Sequence, residues 1–167
     1  SQGALIALHA ARESTPDPPF SGLVLWEPPM PWEDWYDGGW GRATLESPPD
    51  DAAEFFLRGV LGDDVWERLP ENLREERRAE GAALRADLHA SRTTRGRLLP
   101  GVVAVDVIVG TGGRSAPHNR RTAEVTAEMI PGAALVTVDE AAHGVQLDAP
   151  AGLAAVIDRA GAGREPA

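Results

Sequence analysis

Between residues 102 and 159 the chain alternates two apolar, β-branched runs with two helical stretches, and this alternation restricts its fold more than any other feature. Val102 to Val109 reads as a near-continuous strand, Ala116 to Met129 as a helix, Ala133 to Val138 as a second strand and Pro150 to Arg159 as a closing helix. Strands alternating with helices of this length build a parallel sheet with helices on both faces. Ser21 to Trp26, between a proline-rich stretch and Pro28-Pro29, reads as a further buried strand that delivers Glu27 at its carboxyl end. Sites on such sheets gather beyond the carboxyl ends of the strands, where Glu27, Gly110 to Pro117 and His143 fall.

The 167 residues, 43% of them hydrophobic, suffice for the core of one domain or part of one. Sixteen basic against 26 acidic side chains leave a net charge of −10, a field that repels phosphate-rich partners, so nucleic acid is not an expected ligand. Without cysteine there is no disulfide, thiolate nucleophile or thiolate metal site, a pattern compatible with a cytoplasmic location. No apolar stretch approaches the roughly 20 residues that span a bilayer, so no membrane association is expected. The chain opens on Ser1 without an initiator methionine, which is expected of a truncated or a cleaved chain.

The texture changes between residues 31 and 97, which hold four of the five tryptophans, many charges and helical periodicity over Asp51 to Val60, Asp64 to Leu69 and Pro70 to Ser91. This segment is expected as a helical insertion into a core made of residues 1–30 and 98–163. Glu71 to Glu80 alternates charges at helical spacing, as a solvated face with i,i+4 pairs does. The aromatic cluster Trp32, Trp35, Tyr36 and Trp40 is expected chiefly as core of the insertion.

Ser1-Gln2-Gly3 precedes a helix, Gly3 to Arg12, with apolar positions all around, as expected of a helix packed on a sheet. A serine on a strand-to-helix turn with small neighbours is the second half of a G-x-S-x-G elbow, in which the following backbone N–H helps hold an oxyanion. Serine early and histidine last, here His143 in Ala142-His143-Gly144-Val145-Gln146-Leu147, is the order found in one hydrolase architecture. Ser1-Gln2-Gly3, Leu23 to Pro29, Val107 to Gly110 and Ala142 to Leu147 resemble, in order, landmarks of the α/β-hydrolase superfamily from its nucleophile to its C-terminus. The resemblance implies the C-terminal half of a parallel-sheet α/β-hydrolase fold with a helical lid insertion. The upstream half of the same fold, in the same or a cleaved chain, would then be the partner that completes it.

The resemblance further implies a serine hydrolase that cleaves an ester, thioester or lactone through an acyl-enzyme. Ser1 would be the nucleophile, His143 the base and the N–H of Gln2 an oxyanion donor. The family usually carries its acid in the loop equivalent to Gly110 to Pro117, which here holds no carboxylate; some relatives place it after the preceding strand, where Glu27 stands. A carboxylate there would fix the imidazole tautomer. The alternative for Glu27 is a loop acid capping backbone N–H groups near Pro28 and Pro29. Asp106, inside the β-branched run, and Asp139 and Glu140, on the loop of His143 itself, compete less well. Lid inserts of the family cover the serine, so Trp26, Trp32, Trp35 and Trp40 are expected beside a small hydrophobic acyl substrate.

No metal is expected, because no His/Asp/Glu spacing resembles H-E-x-x-H or another ligand set, and no cofactor is implied. His9, His89 and His118 read as structural or exposed. Gly110-Thr111-Gly112-Gly113 lacks both the G-x-G-x-x-G spacing and the lysine of a phosphate loop. Two other functions remain open on the residues alone: a non-catalytic hydrolase-like protein that binds a ligand, and a self-cleaved chain in which the Ser1 amine acts as its own base. A homodimer is also compatible with the sequence.

Overall fold

Gly22–Trp26 (β1), Asp106–Gly112 (β2) and Ala134–Val138 (β3) form a parallel sheet in the order β1-β2-β3. The molecule is seen in a computed structural model that describes residues 1–13, 20–36, 39–93 and 103–161. Gly22 stands opposite Asp106 and Trp26 opposite Gly110, while Ile108 stands opposite Ala134 and Gly112 opposite Val138. Parallel strands need crossover connections, and Pro117–Met129 (α7) makes the one from β2 to β3.

The period of two along each strand divides the core between two faces. Leu23, Leu25, Val107 and Val109 pack with Ala4, Leu8 and Ala11 of Gln2–Glu13 (α1) and with Ala123 of α7. Val24, Trp26, Ile108, Val136 and Val138 point the other way, onto Val145 of Val145–Asp148 (α8) and Val156 and Ala160 of Pro150–Gly161 (α9). The result is three layers, with the sheet in the middle. Leu25 and Val109 are fully buried at its centre, worth about 2 kcal/mol each in apolar burial.

Two strand boundaries differ from the sequence reading. Val102 lies outside the described residues, and the strand that follows begins only at Asp106 and runs on through Gly110, Thr111 and Gly112. Val103 to Val105 are β-formers without a strand beside them, because pairing with β1 begins at Gly22 and its partner Asp106. The two glycines look like loop, yet they stay in the sheet because neighbours occupy the space of a side chain. A Cβ on Gly110 would stand 2.4 Å from the Trp26 ring, and one on Gly112 would stand 2.3 Å from the carbonyl oxygen of Ala141.

The chain divides into two compact units, Ser1–Met30 with Gly96–Ala167, and Pro31–Arg95. The second has turns over residues 31–36 and then, among its described residues, the helices Gly39–Glu46 (α2), a 3-10 turn at Pro49–Asp51, Ala52–Leu61 (α3), Asp63–Arg68 (α4), Glu71–Ala79 (α5) and Gly81–Thr93 (α6). The helical periodicity over Pro70 to Ser91 is realised as two helices, α5 and α6. Gly81 packs so closely on the Pro49 carbonyl that a Cβ would lie 2.6 Å from it, and this contact sits at the break.

The charges of α5 do not form the expected i,i+4 pairs. Arg78 reaches Glu54 on α3 at 2.7 Å and Arg74 reaches Glu67 on α4 at 3.0 Å, so the alternating face ties helices together. Within α5, Arg74 pairs with Glu71 at i,i+3. Trp66 is buried beneath these ions, with the guanidinium carbons of Arg58 and Arg78 at 5.7 and 5.6 Å from its ring. On α2, Trp40 meets Phe55 edge to face at 5.6 Å and remains half exposed.

Candidate active site

Ser1 immediately precedes α1, at the carboxyl end of β1. Its backbone nitrogen donates to the carbonyl oxygen of Trp26, and the N–H of Ala4 donates to the Ser1 carbonyl at 2.8 Å, which closes the first turn of α1. Gln2 opens α1, so its N–H belongs to the first-turn donors that a helix leaves without an internal acceptor. These donors and the positive end of the helix dipole suit a developing oxyanion.

Glu27 follows the last residue of β1 with φ of 40°, in the left-handed region that costs a residue with a Cβ about 1 kcal/mol. The turn is held by its N–H, which donates to the Gly110 carbonyl at 3.1 Å, and by its side chain. Oε2 lies 2.7 Å from Nδ1 of His143. Oε1 accepts from the Thr111 hydroxyl at 2.7 Å and from the Gly112 N–H at 2.9 Å. The Ser115 hydroxyl, buried and without a well-formed hydrogen bond, lies close by.

Only 1% of Glu27 is exposed. Burial alone pushes its carboxyl upward, but hydrogen bonding from His143 and the Ser115, Gly112 and Thr111 donors outweighs that, so the group stays below its ordinary range. An ionised carboxylate can only accept, so Nδ1 of His143 carries the proton toward it and Nε2 is left as an acceptor. This is the tautomer a general base needs.

His143 lies on the loop after β3, and that loop is laced to the one after β2. Gly113 N–H donates to the Val138 carbonyl and Arg114 N–H to the Ala141 carbonyl, both at 2.9 Å. The Asp148 carboxylate accepts from the Ala142 N–H at 3.0 Å. The side chain of His143 keeps 19% of its surface exposed.

The structure thus brings Ser1, Gln2, Trp26, Glu27 and His143 into the sheet-bearing unit. Trp26 packs on the α9 face of the sheet, with its ring over Gly110. Trp32, Trp35 and Trp40 belong to the helical unit, Trp32 half-buried and the other two exposed. Asp106 is exposed at the start of β2, the end away from Glu27, and Asp139 and Glu140 are exposed on the loop before His143. The sequence reading missed Thr111, Gly112 and Ser115. A hydroxyl and glycines directly after a buried β-branched strand were the available signal, because they make the loop a set of donors where an acid is lacking.

Among the described residues no group of three or more His, Asp or Glu side chains could hold a metal, and no helix is long and apolar enough to cross a membrane.

Residues 1–156 match the profile described as the Alpha/beta hydrolase family. Among solved structures the chain is similar to an esterase from Exiguobacterium antarcticum, with a TM-score of 0.68 and 22% identity over 95% of this chain and 63% of that one. It is similar also to a hydrolase from Pseudomonas aeruginosa PA01, with a TM-score of 0.66 and 23% identity over 95% of this chain and 62% of that one. A third similar structure is MGS-M2, an alpha/beta hydrolase enzyme from a Medee basin deep-sea metagenome library, with a TM-score of 0.62 and 15% identity over 100% of this chain and 64% of that one. At these identities the likeness is one of fold. The chain spans less than two thirds of the length of each of these structures. No curated protein matches the sequence.

Proposed function

The chain belongs to the Alpha/beta hydrolase family, and on that premise we propose that it carries the nucleophile, base and acid of a serine hydrolase that cleaves an ester, thioester or lactone of a small hydrophobic substrate. The observation that carries this reading is the 2.7 Å contact between Glu27 Oε2 and His143 Nδ1, made by a buried, ionised carboxylate beside a serine at a helix N-terminus.

In this mechanism Ser1 Oγ attacks the acyl carbon and its proton passes to Nε2 of His143. The Gln2 N–H receives the oxyanion as the carbonyl π bond opens. Collapse expels the alcohol or thiol, which takes the proton back from the imidazolium and leaves an acyl-Ser1 ester. Water, deprotonated by His143, repeats the sequence and releases the acid. Glu27 stays ionised throughout and stabilises the imidazolium. The upstream half of the same fold is the proposed partner, a role supported by the share of each similar structure that this chain spans.

The test is a fluorophosphonate probe applied to protein expressed from the complete gene and read by intact mass. One adduct mapped to Ser1, absent from Ser1→Ala and accompanied by turnover of p-nitrophenyl esters, is the expected result. An unlabelled, folded protein that turns over no ester would overturn the proposal and favour a hydrolase-like binding protein.

A further inference from the structure

The acid and the donors that hold it come from different strands. Glu27 leaves the end of β1 in a left-handed backbone conformation, whereas Thr111 and Gly112 are the last two residues of β2, 84 and 85 positions later. A carboxylate on a short side chain can rotate to exchange its two oxygens. Here one oxygen is committed twice, to the Thr111 hydroxyl at 2.7 Å and the Gly112 N–H at 2.9 Å, which leaves the other oxygen alone for His143. Both side chains of the Thr111–Glu27 bond are more than nine-tenths buried, so water is a poor substitute for the hydroxyl.

From this geometry we infer that Thr111 is a positioning residue: its hydroxyl clamps Oε1 of Glu27, so that Oε2 is aimed at Nδ1 of His143 and the imidazole is held in one tautomer and one orientation. The inference rests on the serine-hydrolase reading for its effect on turnover, but not for its effect on the Glu27–His143 pair. The backbone donor of Gly112 is retained when Thr111 is substituted, and one N–H holds an oxygen without fixing the rotation of the carboxylate. The titratable side chain that reaches this carboxylate is His143. Removing a donor from Oε1 makes the carboxylate more basic.

The experiment compares Thr111→Val, which keeps the shape and removes the donor, with Thr111→Ser, which keeps the donor and removes a methyl. Both are made in the protein expressed from the complete gene. Carboxyl-labelled glutamate and ring-labelled histidine are followed by NMR through a pH titration, with the Glu27 and His143 signals assigned by their loss in Glu27→Gln and His143→Gln. In Thr111→Val the Glu27 midpoint is expected to rise by about one pH unit, the size of one hydrogen bond to a charged group. The Nδ1 proton is expected to lose its downfield position. With p-nitrophenyl acetate, kcat is expected to fall about tenfold at unchanged KM. Thr111→Ser is expected to restore all three.

A folded Thr111→Val protein whose Glu27 midpoint and Nδ1 proton match the parent would overturn the inference, as would a Thr111→Ser protein that behaves like the valine variant. If the NMR signals move as expected while no variant, the parent included, hydrolyses an ester, the clamp stands and the hydrolase reading falls.

Discussion

Glu27 and His143, 116 positions apart, meet at 2.7 Å through Oε2, while Thr111 and Gly112 hold Oε1. Each is useful only through the other: the carboxylate would otherwise be a buried charge, and the imidazole would have no reason to keep its proton on Nδ1. Breaking such a pair from one side leaves a desolvated group without its partner.

Glu27→Gln replaces the charge with an amide of the same shape. It is expected to lower kcat by about 10³-fold with KM nearly unchanged, because the lost interaction strengthens only as the imidazolium forms. Steady-state hydrolysis of p-nitrophenyl esters by the complete protein reads this directly, and a kcat within a factor of three of the parent would remove Glu27 from the proposed triad.

The same carboxylate links stability to pH. Its folded pKa lies below the unfolded value, so between the two the unfolded chain binds more protons. Its contribution is fully present above the unfolded pKa and is lost as the pH falls through the folded one. Melting temperatures of the parent and Glu27→Gln, measured from pH 7 down to about pH 3, are therefore expected to converge on acidification. Parallel curves would contradict the depressed value.

Gly112 has no room for a methyl group. A Cβ there would stand 2.3 Å from the Ala141 carbonyl, on the loop that carries His143. Gly112→Ala is expected to cost about 1–3 kcal/mol of stability and at least tenfold in kcat. Gly161→Ala, at a site with nothing within 4 Å, is the control and is expected to stay within about 0.5 kcal/mol of the parent.

In the helical unit, Trp40 lies flat on α3 at Gly59, where a Cβ would come 2.2 Å from the ring. Alanine is the better helix former by about 1 kcal/mol, so the glycine is retained at a local cost. Gly59→Ala alone is expected to dislodge Trp40, which shifts its fluorescence to the red, with little gain in stability. In a Trp40→Ala background the same change is expected to stabilise by up to about 1 kcal/mol. Equal effects in both backgrounds would show that the ring does not rest on Gly59.

The order of elements in the sheet-bearing unit was legible because it depends on local patterning. Apolar runs of strand length alternate with helical stretches, and the faces of β1 follow from its period of two. Ser1, Glu27 and His143 could be picked out by residue type and by their place beyond strand ends. The helical unit was less legible. Its charges obey helical spacing, yet their partners lie on other helices, as Arg78 with Glu54 shows, and spacing along one helix carries no information about its neighbours.

What the sequence by itself determined is a parallel α/β arrangement; beyond that it offered a short list of candidate groups past the strand ends. Only the tertiary structure decided that β2 begins at Asp106 and continues through Gly112, since a strand extends as far as its partners do. Only it turned Thr111, Gly112 and Ser115 into the surroundings of Glu27. A hydrogen bond between residues 84 positions apart depends on sheet register and on the space that glycines leave, and neither property belongs to any single residue.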